Sequence, residues 1–276
     1  KTLDPKIKKA IDSHIIPGPN LVPSGSPITT TGGHCNMFGM ESDTIEEVVQ
    51  SIKYLANAGA QWIKIIATGG NFTPSTNIHE PQYSQETIEI AVEEAHKLGL
   101  KVATHCHATK GIIACTNAHV DNLIHCSWIG PENSDDFYDY QPEIANQIAN
   151  DGIFVDPTLA LSYLSQLRGK TLKRDPSKRY EILRQMWDIG IKFVSGMDSG
   201  MVNAHFDDFA YIPEVMVKKM GRVLILSLQG QSMKGFGKMG KKVKAIAQIR
   251  GHSIINISNS KNPLTNLDFR FLKEFC

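Results

Sequence analysis

No run in this chain approaches the roughly 20 consecutive apolar positions that a membrane-spanning helix needs. Its opening stretch, KTLDPKIKKAIDSH, is too charged to contain the apolar centre of a secretory leader. A soluble protein is therefore the expectation. Cysteine is scarce: five residues, at 35, 106, 115, 126 and 276, an odd number with no C-x-x-C pair. That argues against a disulfide scaffold and against a zinc knuckle, and it points to a reducing, cytoplasmic setting. Net charge is nearly absent as well. A formal +1 gives no overall field to draw in nucleic acid or an anionic membrane, so a small-molecule or peptide substrate is the expected partner.

What the chain does have is length and apolar content. With 276 residues, 41% of them hydrophobic, it can build one large α/β domain or two ordinary ones. From residue 41 onward, helix-like and strand-like segments alternate. ESDTIEEVVQSIKYLANAGA repeats its apolar residues every three to four positions and runs into WIKIIA; SQETIEIAVEEAHKLGL does the same and runs into KVATH. In the second unit Ser84 is placed as an N-cap, Tyr83 and Ile88 as a hydrophobic staple, and Gly99 as a C-terminal glycine. AHVDNLIH, NDGIFVDPT and DIGIKFVSGMD repeat the passage from helix end to strand. This alternation predicts right-handed βαβ units and a parallel sheet.

Lys64, His105, His125 and Asp198 each fall at or near the end of one of those strands. In a parallel barrel the strand ends converge on one face, where four residues distant in sequence can meet. An open doubly wound sheet is the rival, but TGG at 68–70 is too short for its phosphate-binding loop, so a TIM-like (β/α) barrel is predicted. Period-two alternation in KVATHCHATKG puts His105 and His107 on one face and Cys106 on the other. A strand-end histidine reads either as a structural hydrogen-bonding residue or as a metal ligand. Asp198 reads as a helix cap, a ligand or a base. Lys64 has three readings: it snorkels to solvent, pairs with a buried carboxylate, or, neutralised by burial, takes up carbon dioxide as a carbamate.

Together these residues resemble the metal-dependent amidohydrolases, in particular the group of imidazolonepropionase and the proline dipeptidases. The stretches that carry the resemblance are TTTGGHCNMFG, WIKIIATGG, HCHATKGIIACTNAHVDNLIHCS, and GMDSG where the family usually has GTDAG. His105 and His125 stand 20 residues apart with a helix between them, like two consecutive strand-end ligands of that group. The resemblance implies hydrolysis of carbon–nitrogen bonds in small peptides or cyclic amides. It further implies one or two divalent ions, with zinc the first candidate and manganese, iron or cobalt also compatible. Lys64 would be the carboxylated bridge and His105 and His125 the ligands of the more exposed ion. Asp198 would bind the buried ion and shuttle the proton, and His34 and His107 would contact the substrate.

The chain also departs from that pattern. The family's first strand carries an H-x-H pair, and nothing before residue 34 supplies it; His14 stands alone. Residues 1–220 are therefore expected to form a barrel lacking its first strand, and residues 221–276 a C-terminal helix with the remnant of a small β-sandwich. An alternative follows directly: a truncated or degenerate relative with an incomplete metal site and little activity. From Lys218 to Arg250 there are nine Lys or Arg and no Asp or Glu, a run that reads as a solvated face or as a phosphate-binding surface. GHSIINISNSKNPL reads as a strand without partners, an edge that favours homo-oligomers.

Overall fold

The segment beginning at Thr44 shows how local chemistry sets the element boundaries. The Thr44 side chain accepts from the backbone N–H of Glu47, the Glu47 carboxylate accepts from the Thr44 N–H, and this capping box opens α2 (Ile45–Asn57). Helix α3 (Gln85–Lys97) starts on Ser84, whose hydroxyl accepts from the Thr87 N–H at 3.1 Å. It ends at Gly99, where φ is +73°, a conformation a side chain would strain. Tyr83 and Ile88, the expected staple, are both buried.

The computed structural model describes residues 3–220, apart from 173, 201–203, 206, 207, 209 and 210. Ahead of α2 lie α1 (Leu3–Asp12) and two short strands, β1 (Ile28–Thr29) and β2 (Met40–Glu41). After it come β3 (Trp62–Ile66), α3, β4 (Lys101–Ala108), α4 (Thr109–Asn117), β5 (Asn122–Ile129) and α5 (Pro142–Asn150). The series continues with β6 (Phe154–Asp156), α6 (Ala160–Leu167), α7 (Ser177–Asp188), β7 (Lys192–Phe193), α8 (Tyr211–Val215) and a π-helical turn, Met216–Met220.

All six ladders are parallel, in the order β2-β1-β3-β4-β5-β6-β7. The βαβ alternation is thus as expected. No ladder joins β2 to β7 among the described residues, so this barrel-type sheet is open along that seam. The pleat divides each strand between two faces. Ile63, Ile65, Val102, Cys106, Leu123 and Val155 enter one core together with Ile52 and Leu55 of α2, Ile88 and Val92 of α3, Ile112 of α4 and Ile148 of α5. At about 1.5–3 kcal/mol for each large apolar side chain, that burial holds the strands and keeps their opposite faces in register. No helix among the described residues is long and apolar enough to cross a membrane. The expected C-terminal helix and sandwich remnant, and the basic stretch beyond residue 220, lie outside the described residues.

Candidate metal centre

Four imidazoles converge at the C-terminal end of this sheet. On β4 the pleat turns His105 and His107 to one side while Cys106, fully buried, joins the core on the other. On β5 simple alternation fails. Leu123 lies in the core, and His125, two residues on, would follow it there in a regular strand. Instead Cys106 pairs with His125 and Ala108 with Ile129, so β5 advances four residues while β4 advances two. His125, Cys126 and Trp128 take φ of +68°, +44° and +55° in this bulge. The two extra residues bring His125 round to the histidines of β4 and return Cys126 and Trp128 to the core.

The fourth imidazole comes from the loop after β1. The His34 N–H donates to Gln82 Oε1 at 2.6 Å, and the Thr29 hydroxyl donates to the His34 carbonyl at 3.0 Å. A side chain at Gly70 would collide with the His34 ring, so the TGG stretch is glycine there to admit it. Ring centroids stand 4.6 Å apart for His34 and His105, 4.6 Å for His105 with His107 and with His125, and 4.4 Å for the stacked pair His107 and His125.

Three of the four rings are oriented by what one of their nitrogens meets. His105 Nε2 lies 3.3 Å from the Gly69 carbonyl, which can only accept, so Nε2 holds the proton and Nδ1 keeps its lone pair. His125 Nδ1 lies 2.6 Å from Thr158 Oγ1, and His107 Nδ1 lies 2.8 Å from Ser127 Oγ. Burial, with the neighbouring histidines and Lys64, holds the pKa of His105 and of His125 well below the usual imidazole value. Burial and then the Arg179 guanidinium bring His107 to about 3, and burial and then Lys64 bring His34 to about 4. At neutral pH all four are uncharged, which is the form that binds a metal.

Lys64 comes from the same face of the sheet, between the buried Ile63 and Ile65. It makes no ion pair or hydrogen bond among the described residues. Burial lowers its pKa from 10.5 to about 8, against the attraction of Asp198 and Asp156. Asp156, the last residue of β6, is raised to about 6 by burial, although Thr158 and Gly196 both donate backbone N–H bonds to its Oδ1. Gly196 presses so close that a Cβ there would enter the Asp156 carboxylate. Asp198 lies five residues beyond the end of β7, exposed, with φ of +56°, and its charge is felt at both Lys64 and Asp156.

These residues fit a divalent cation. His105, His107 and His125 offer ligand atoms within 4.8 Å of one another, a side-chain rotation away from the ~3.3 Å that nitrogens keep around zinc at ~2.0–2.1 Å. His34 Nδ1 is buried with no partner, a cost that a cation or a bound ligand would relieve. The structure brings His34, His105, His107 and His125 together, with Lys64 close enough to act on His34 and His105 and the exposed Asp198 acting on Lys64 through its charge. It also adds two that were overlooked. Asp156 ends the strand in NDGIFVDPT and satisfied the same strand-end criterion as the others. Arg179, in the first turn of α7, reaches the backbone of β5 from a helix whose sequence carries no mark of the site.

A model of the amidohydrolase family matches residues 1–239. An ochratoxinase of Aspergillus niger is 28% identical over 152 residues, covering 46% of this chain and 32% of the relative. The crystal structure of A. niger ochratoxinase superposes with a TM-score of 0.67 at 22% identity, over 79% of this chain and 54% of that one. A Xaa-Pro dipeptidase with bound methionine in its active site gives 0.64 at 21% identity, over 89% of this chain and 61% of that one. The chain thus spans about a third of the length of the curated relatives it matches, and at these identities the solved structures speak for the fold. On the family match over residues 1–239, the chain belongs to the amidohydrolase family.

Proposed function

We propose that this site hydrolyses amide bonds in small peptides or cyclic amides with the help of a divalent cation, zinc being the first candidate. The observation that carries the reading is the cluster of uncharged imidazoles beside a lysine that has no partner and two carboxylates within electrostatic reach. His105 through Nδ1 and His125 through Nε2 would hold the ion, with Asp198 closing the site from the rim. When bound, the cation supplies Lewis-acid polarisation of the carbonyl and eases ionisation of water.

Lys64 suits carboxylation. With its pKa near 8, roughly a tenth of the amine is neutral at pH 7. The neutral amine adds to carbon dioxide and releases one proton, leaving a carbamate anion where an ammonium had been costly. Asp198 takes the proton of the attacking water and gives it to the leaving nitrogen as the carbon–nitrogen bond breaks, yielding a carboxylic acid and an amine. His34 and His107 face the substrate. The names of the relatives, an ochratoxinase and a Xaa-Pro dipeptidase, are in keeping with amide substrates. The free thiols of Cys35, Cys106, Cys115 and Cys126 agree with a reducing, cytoplasmic setting.

A second reading, one ion and slow turnover, is favoured by the exposure of Asp198. The test of both is hydrolysis of N-acyl amino acids, Xaa-Pro dipeptides and cyclic amides by the chain loaded with zinc, manganese or cobalt. Release of amine that disappears in Lys64→Ala and His105→Ala supports the first reading. A folded, metal-loaded chain that releases none overturns it in favour of the second.

A further inference from the structure

Among the described residues the Arg179 side chain has no carboxylate partner. Its Nη2 donates to the carbonyl of His125 at 3.0 Å and to that of Pro157 at 2.7 Å, and its Nη1 donates to Ser127 Oγ at 2.6 Å. A guanidinium only donates, so Ser127 Oγ accepts from it and must place its own proton elsewhere. Ser127 is 2% exposed. Its hydroxyl has one other partner among the described residues, His107 Nδ1 at 2.8 Å. A buried hydroxyl proton without an acceptor is costly, so the hydroxyl donates to Nδ1 and the neutral ring carries its proton on Nε2.

This distinguishes His107 from the imidazole beside it. His105 spends its proton on the Gly69 carbonyl and keeps a lone pair for an ion. His107 spends its lone pair on Ser127 and keeps an N–H. We propose that Arg179 is a positioning residue that, through Ser127, fixes His107 as a hydrogen-bond donor and withdraws it from the ligand set. On the reading of the site as an amide hydrolase, on which this role rests, the Nε2 proton meets the substrate carbonyl oxygen and the negative charge that develops there. The same guanidinium, holding the His125 carbonyl, pins the bulge that brings His125 to the site.

The test reads the ring proton directly and does not depend on activity. Long-range proton–nitrogen correlation spectra of the full chain, labelled with 15N-histidine, are recorded without metal and with zinc added, and His107 is assigned by its loss in His107→Gln. The expected result is an Nε2–H ring at His107 in both states, while the His105 and His125 signals move with zinc. In Ser127→Ala the His107 ring becomes a mixture of tautomers, and Ser127→Thr restores it. Arg179→Met should shift the ring as Ser127→Ala does; should that variant not fold, the serine pair decides alone. In the zinc-loaded chain, Ser127→Ala lowers kcat about 10- to 100-fold with little change in KM, and Ser127→Thr recovers it. A His107 proton on Nδ1, zinc shifting His107 as it shifts its neighbours, or a tautomer unmoved in Ser127→Ala overturns the proposal. Absence of any hydrolysis would strike the function and leave the spectra to judge the relay.

Discussion

Replacing Lys64 by methionine should make the metal-free protein more stable. A pKa lowered from 10.5 to about 8 corresponds to roughly 3 kcal/mol of cost carried by the ammonium at neutral pH. Part of the Lys64 surface remains accessible, which reduces what its removal returns, and the Asp156 carboxyl loses an attractive neighbour. A gain of about 1–2 kcal/mol is expected, or roughly 2–8 °C in Tm for a body of this size. The sign with pH follows from proton counts. Between pH 8 and 10.5 the unfolded chain binds more protons at Lys64 than the folded one, so wild-type stability rises with pH through that window. The advantage of Lys64→Met is therefore full below pH 8 and fades toward pH 10. Thermal and urea unfolding with chelator, in buffer free of carbon dioxide at pH 7, 8.5 and 10, measures it. A variant less stable than wild type at pH 7, or an advantage constant across the series, would refute the reasoning.

Two further perturbations test the placement of the site. Gly196→Ala drives a methyl group into the Asp156 carboxylate, which the Thr158 and Gly196 N–H groups hold in place, and should cost about 1–3 kcal/mol in urea unfolding. Cys106→Ala removes a thiol from the core face of β4; it should cost about 1–3 kcal/mol in stability and leave the metal content of the protein unchanged, whereas loss of metal would place the thiol in the site.

Much of this arrangement could be read from residue order because it is local. The Ser84 cap, the Gly99 terminus and the separation of His105 and His107 from Cys106 follow from helix-end chemistry and the pleat of a strand. The arrival of His125 does not. It depends on two extra residues in β5, whose positive φ values are held in part by Arg179 from a helix about 50 residues later, and no periodicity in NLIHCSWI signals a bulge. Asp156 is legible in the same way as the histidines, because it ends the strand in NDGIFVDPT. The two-residue strands β1 and β2 are too short to show a pattern, although the loop between them delivers His34.

Lys64, His105, His125 and Asp198 are proposed to form a seat for a divalent cation. Elemental analysis after loading with zinc and exhaustive dialysis, done in parallel on wild type, His105→Ala and His125→Ala, tests it most directly. At least one equivalent of zinc retained by the wild type and lost from both variants is the predicted result. Zinc at the level of the buffer in the wild type, or equal retention in all three, would contradict it.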